Sequence, residues 1–302
     1  MAADGVDDLA VRGCAALSSG AGEPLAGTAP AMRRVVAVEH VGMWPPRVAA
    51  HPDEDVAGLA ERLRAQDATL LLIRRPGRRG RETDERAVFV ADLAPGRSRV
   101  VHTTVRGPGD LDAVSFDLSA GEPVADPLLL VCAHGRRDVC CAVRGRALAA
   151  AVAAAEPSGG VWECTHLGGH RFAPTALVLP TGYAYGRLDT ATAVDVRKAA
   201  GLGEVVMKDC RGHVGLDPVA QVAEIAVREH TGVRDADGLV VVARQVVDEV
   251  GGAGIVEVGD PEGRRWAVDV RVDSGTGTRP PSCGAALEPV TPLVAGPPRP
   301  LA

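Results

Sequence analysis

Short apolar runs rich in β-branched residues recur along the first third of the chain, at Val35–Glu39, Thr69–Ile73, Ala87–Leu93 and Arg99–Val105, and each reads as a strand. Between the first two, Asp55–Gln66 places Leu59, Leu63 and the alanines on one face, which is helical spacing. Strands alternating with a helix predict α/β layers. Residues 1–34 are rich in small side chains and predict a helix–loop. The run Arg74–Arg81 reads as a basic, solvated turn.

The pattern changes at Pro127. Leu128–Cys132 is continuously apolar, as in a strand buried on both faces, and Ala142–Ala155 is an Ala-rich helix stopped by Pro157-Ser-Gly-Gly. Strands are expected at Val161–Cys164, Ala176–Leu179 and Tyr183–Leu188, and a helix over Thr190–Ala200 capped by Asp189 or Thr190. The next helix is better marked, with Asp217 as cap, Pro218 in its first turn and Gly232 just past its end. Gly238–Val247, Gly252–Val258 and Arg265–Val272 suggest a small β appendage, turning at Asp260-Pro-Glu-Gly. Residues 276–302 hold seven prolines in 27 positions and are expected to be extended or disordered. The implied division is an N-terminal α/β domain over 1–123, a second α/β domain over 124–235, an appendage over 236–275 and a Pro-rich tail. No repeat appears at solenoid or propeller periods.

Composition narrows the function classes. The 302 residues carry 33 Lys and Arg against 39 Asp and Glu, a formal net charge of −6 without a dominant basic face. That balance and an aromatic content of 3% point away from nucleic acid. The longest apolar stretch, Ala147–Ala155, is too short to span a bilayer, and the acidic start MAADGVDD lacks the features of a secretory leader. The expectation is a cytoplasmic protein without membrane contact. Its seven cysteines are an odd count, and four of them fall between 132 and 164, together with His134 and with His166 and His170 just beyond. In a reducing compartment such a cluster reads as a metal or redox site.

Two segments carry that chemistry: Val131-Cys-Ala-His-Gly-Arg-Arg-Asp-Val-Cys-Cys141 and Glu163-Cys-Thr-His-Leu-Gly-Gly-His170. Both follow predicted strands, at the rim where α/β folds place their sites. The glycine pair lets the backbone turn closely enough to aim His166 and His170 at one point. Cys132 and Cys141 can do the same from the other loop. Two Cys and two His form a four-ligand shell that suits zinc, or a 2Fe–2S cluster with histidines on one iron, and spacing does not separate the two. Adjacent side chains diverge, so only one of Cys140 and Cys141 should face the shell. Cys164 reads as a buried small residue, His134 as structural within its loop, and Arg136, Arg137 and Asp138 as a loop-ordering ion pair. Cys14, Cys210 and Cys283 have no partner at ligand spacing, and Cys283 is expected as an exposed thiol in the tail. The chain has no phosphate-loop motif, no distinctive carboxylate pair for a glycosidase and no Cys-x-x-Cys.

The two segments resemble the sucrase/ferredoxin-like family. The shared pattern is Cys132, His134, Arg137, Asp138 and Cys141, followed by His166, Gly168, Gly169, His170, Phe172 and Ala173; the GEPLAGTAP segment, Tyr185–Leu188 and Asp195-Val196 also look familial. The resemblance covers roughly residues 10–230. It implies a thioredoxin-like ferredoxin domain and electron transfer between redox donor and acceptor proteins. It also implies a 2Fe–2S cluster, with Cys132 and Cys141 on one iron and His166 and His170 on the other, and its register selects Cys141 over Cys140. A structural Cys2His2 zinc protein is the alternative.

Overall fold

The computed structural model describes residues 13–77, 85–107, 109–157, 159–248, 253–274 and 277–301. The acidic start and the second half of the basic turn at 74–81 lie outside the described residues.

The strands of the first half are β1 (Arg34–Glu39), β2 (Thr69–Arg74), β3 (Glu85–Asp92) and β4 (Arg99–Arg106), with helix α2 (Glu54–Ala65) between β1 and β2. A short helix, α1 (residues 13–20), precedes them. Asp53 caps α2 by accepting from the amides of Asp55 and Val56. The second half repeats the plan with β6 (Leu128–Cys132), α3 (Arg146–Ala155), β7 (Val161–Cys164), β8 (Ala176–Leu179) and β9 (Tyr183–Tyr185). Each half pairs its first two strands in parallel and adds two antiparallel strands on the other side, giving β2-β1-β3-β4 and β7-β6-β8-β9. The second of these units is the thioredoxin-like arrangement. The duplication is one of topology, with no sequence repeat to announce it.

Ile73 of β2 pairs antiparallel with Cys164 of β7, joining the halves into one curled mixed sheet; with β5 (Glu122–Pro123) and β10 (Cys210–His213) at its edges it has ten strands, in the order β10-β9-β8-β6-β7-β2-β1-β3-β4-β5. Buried Arg74 and Glu163 form an ion pair of 2.7 Å at this seam. Because the strands are covered on both faces, their apolar runs are continuous rather than alternating. One face gathers Val35, Phe89, Leu130 and Trp162 from both halves into a shared core. On the other face, α2 packs over β1 and β2, and α3 and α4 (Thr190–Gly201) pack over β6 and β8.

The edge strands β5 and β10 are additions to the expected set. The strand expected over 183–188 stops at Tyr185, and the helix expected from Ala142 opens as a π-turn over Cys141–Gly145 before α3 begins. Helix α5 (Pro218–Thr231) has the expected limits: Asp217 accepts from the amides of Val219 and Ala220, and Gly232 ends it at φ +76°. Val222, Ala223 and Val227 of α5 pack on Val256, Trp266 and Val268 of the appendage. That appendage comprises β11 (Val240–Asp248), β12 (Ala253–Gly259) and β13 (Arg265–Val272).

Of the two expectations for the tail, extended or disordered, the described residues show the extended one. Leu293–Ala295 and Arg299–Leu301 pair antiparallel with β13, and Thr278–Arg279 pairs with Glu288–Pro289. Prolines lack an amide donor but are accommodated in short edge strands. The tail is also held by charge, since buried Arg279 donates two hydrogen bonds of 2.9 Å to Glu23, just after α1. No helix of the described residues is long and apolar enough to cross a membrane.

Candidate metal centre

The parallel strands β6 and β7 end side by side, with Cys132 opposite Cys164. Beyond β6 the chain passes through His134 and Asp138 into the π-turn that carries Cys141; beyond β7 it passes through His166 to His170. The π-turn sits hard against the end of β6: a Cβ on Gly145 would lie 1.9 Å from the Cys132 carbonyl oxygen, so only glycine permits this approach. Gly168 and Gly169 are both left-handed, at φ +73° and +69°, and fold the second loop back so that the His166 and His170 rings stack at 5.1 Å.

The donors of Cys132, Cys141 and His166 all lie within 4.8 Å of one another, with Cys132 Sγ 3.9 Å from His166 Nδ1. Both cysteines are buried. The fourth residue, His170, stacks on His166 and has a buried Nδ1 without a hydrogen-bond partner. Two sulfurs and an imidazole within reach of one another, with an orphaned nitrogen on the imidazole stacked against the first, have the chemistry of an unfinished ligand shell that suits either a cluster or a single ion.

The electrostatics run the same way. The Cys132 thiol is held well below its usual value, first by hydrogen bonding from Cys141 and then, against the opposing effect of burial, by His166. Cys141 is raised correspondingly as the donor of that pair. Burial pushes His170 down, opposed by the Asp138 carboxylate and by the Pro281 carbonyl of the tail. The surroundings therefore favour the thiolate at Cys132 and the neutral imidazole at His170, the ligating forms of both residue types.

The other candidates sit elsewhere. Cys164 is fully buried in the core shared by the two halves, and burial raises its thiol well above the usual value. His134 Nε2 lies 2.8 Å from the Pro45 carbonyl, with its ring edge-on to Trp44. Cys140 turns away from Cys141: its sulfur lies 3.4 Å from that of Cys283. Two expectations are corrected here. Arg136 and Arg137 are exposed, and Asp138 takes its hydrogen bonds from the amides of Cys140 and Cys283, at 2.8 and 2.9 Å, so the loop is ordered by backbone donors rather than an ion pair. Nor is Cys283 an isolated tail thiol, since it lies beside Cys14 and Cys140.

Arg211 of β10 escaped the sequence reading. It is fully buried and donates to Thr28 Oγ1 and to the Gly168 carbonyl, at 3.0 and 3.2 Å. Burial lowers it to about 9, opposed by the nearby Cys132 and Cys141 sulfurs. A Cβ on Gly169 would come within 2.3 Å of its guanidinium, so the glycine turn and this arginine fit one another. No local signal marks it, because nothing around Asp209-Cys-Arg-Gly-His213 shows that this edge strand reaches the centre.

A family model described as sucrase/ferredoxin-like matches residues 25–212, well over half of the chain and all four residues around the centre. No curated protein and no solved structure gives a match.

Proposed function

The chain belongs to the sucrase/ferredoxin-like family, and from that premise we propose that it is an electron-transfer protein whose centre holds a 2Fe–2S cluster. The observation that carries this reading is the convergence of Cys132, Cys141 and His166, with the partnerless Nδ1 of His170 on the ring stacked against His166. In the proposed arrangement Cys132 and Cys141 hold one iron and His166 and His170 the other. Bound there, the cluster would supply a one-electron donor and acceptor, and histidine ligation raises its potential relative to an all-cysteine site. Arg211 places a fixed positive charge beside the thiolates, where it favours the reduced, more negative state. The glycine turn fixes the imidazole stack, and the surrounding core limits water. Exposed Val139 and Val143 flank Cys140 and Cys141 and offer a small apolar surface of the kind that transient redox partners use. The donor and acceptor in this reading are other redox proteins in a reducing, cytoplasmic setting, in keeping with seven free cysteines.

The test is the composition and spectrum of anaerobically purified protein. Two iron and two labile sulfide per chain, with a dithionite-induced EPR signal altered in His166→Cys and His170→Cys, support the cluster. The second reading, a structural zinc site, draws on the 3.9 Å between Cys132 Sγ and His166 Nδ1, a separation that a single tetrahedral ion would span. Colourless protein without iron or sulfide, whose zinc is lost in His166→Ala, would replace the first reading with the second.

A further inference from the structure

A second set of donors lies on the far side of the same turn, and the proposed electron transfer does not use it. Cys14 comes from α1, Asp138 and Cys140 from the turn after β6, and Cys283 from the tail; their donor atoms all lie within 4.8 Å of one another. Cys283 Sγ is 3.4 Å from Cys140 Sγ and 3.6 Å from Cys14 Sγ. The Asp138 carboxylate lies 3.3 Å from Cys283 Sγ and 3.7 Å from Cys14 Sγ. We propose that Cys14, Cys140, Cys283 and Asp138 bind a zinc ion.

Geometry carries the assignment. A tetrahedral ion with Zn–S bonds of about 2.3 Å and a Zn–O bond of about 2.1 Å sets its sulfurs about 3.8 Å apart and each sulfur about 3.6 Å from the oxygen. The four separations above cluster around those edges. They are far longer than the roughly 2.05 Å of a disulfide, and a disulfide would use two sulfurs and leave the third against a carboxylate. Three thiolates with one carboxylate form a closed shell without an open position, the mark of a structural rather than a catalytic zinc site. Zinc binding displaces the thiol protons to solvent, while Asp138 is held ionised by the amides of Cys140 and Cys283 against the effect of burial.

The site would fasten three segments that are remote in sequence, Cys14 and Cys283 being 269 positions apart. Both lie outside the segment matched by the family, so this ion belongs to the chain's own extensions. It would also seat the tail against the candidate centre, where the Pro281 carbonyl faces His170.

The experiment uses the full chain, purified without chelator. Elemental analysis is expected to give one zinc per chain bound through this site, and zinc-edge absorption fine structure to give three sulfurs at about 2.3 Å and one oxygen at about 2.0–2.2 Å. Cys14→Ser and Cys283→Ser should each lose that equivalent, whereas His166→Ala should keep it. The proposal is overturned if the chain neither carries zinc nor takes up one equivalent of added Zn2+. It is equally overturned if zinc is unchanged in both variants or is lost only in His166→Ala, or if alkylation and intact mass reveal a Cys140–Cys283 disulfide. The wild-type absorption measurement decides even where a variant fails to fold. Iron and labile sulfide are scored separately, so the fate of the cluster reading is independent.

Discussion

Cys140 and Cys141 are neighbours in sequence but serve opposite sides of one turn. Cys140 Sγ lies 3.4 Å from Cys283 Sγ, whereas the Cys141 sulfur joins the Cys132 sulfur and the His166 imidazole in a separate group. The division arises at the entry to the π-turn, where consecutive helical side chains project about 100° apart and cannot share a centre.

That relationship separates the two residues experimentally. Cys141→Ser should abolish the visible absorption and reduce iron to a small fraction of wild type, because it removes a thiolate from the centre. Cys140→Ser should retain iron and colour. Iron and sulfide assays on the two variants, with circular dichroism to confirm folding, check this directly. Equal loss of iron in both would mean that the turn does not divide the cysteines functionally.

The approach of Cys132, Cys141 and His166 and the stacking of His170 on His166 were legible because each pair is local, and the Gly168-Gly169 turn advertises its own shape. The second group was not legible, because Cys14 meets Cys283 only when α1 and the tail dock on either side of Asp138. Composition left the tail open between extended and disordered. It is extended because it pairs with β13 and is held by the Glu23–Arg279 contact, neither of which a local pattern encodes. Helices with strong caps, such as the one from Asp217 to Gly232, were read to within a residue, while the two-residue β5 left no periodicity to read.

Arg211 sets an electrostatic expectation for the proposed cluster. Its buried charge lies near the Cys132 and Cys141 sulfurs, so removing it should disfavour the added electron. At an effective dielectric constant near 20, a charge several ångströms away contributes on the order of 1–2 kcal/mol, and about 59 mV corresponds to a tenfold change for one electron. Arg211→Gln should therefore lower the reduction potential by roughly 50–100 mV. Arg211→Lys should recover most of the shift. Protein-film voltammetry on the three forms tests the point, and an unchanged potential in Arg211→Gln would leave the arginine a purely structural role.

Glu23 is the anchor of the tail. It accepts from Ser18, Arg171 and Arg279, and these contacts, Arg279 foremost, outweigh burial and hold its carboxyl below the usual value. A depressed carboxyl pKa gives stability that is complete above the unfolded value and is lost as pH falls through the folded one. Glu23→Gln leaves buried Arg279 with only the exposed Glu288, 3.5 Å away, as countercharge and should cost about 3 kcal/mol in urea unfolding at pH 7. It should also make the segment around Cys283 more sensitive to limited proteolysis. Unaltered stability and proteolysis would show that the strand pairing of 293–301 alone retains the tail.

His213 supplies the acid sensitivity expected at higher pH. It is buried at the end of β10, its ring edge-on to Tyr183 at 5.0 Å, and its Nδ1 accepts from the Gly215 amide at 3.0 Å. Burial, reinforced by the nearby Arg228 charge, lowers it from 6.5 to about 4. The folded state thus binds the proton more weakly than the unfolded chain, so stability is complete above pH 6.5 and declines as pH falls towards 4. The difference of about 2.5 units corresponds to a loss of about 3 kcal/mol across that window. Glu23 acts lower, below the ordinary carboxylate value of 4.5, so the two effects separate along the pH axis. His213→Gln should make the fall in stability between pH 6.5 and 4 shallower, the slope that remains coming in part from His40, which burial also lowers to about 4, while the fall below pH 4 is kept. Urea unfolding at half-unit pH steps reads both, and a slope unchanged by the substitution would assign the sensitivity to another group.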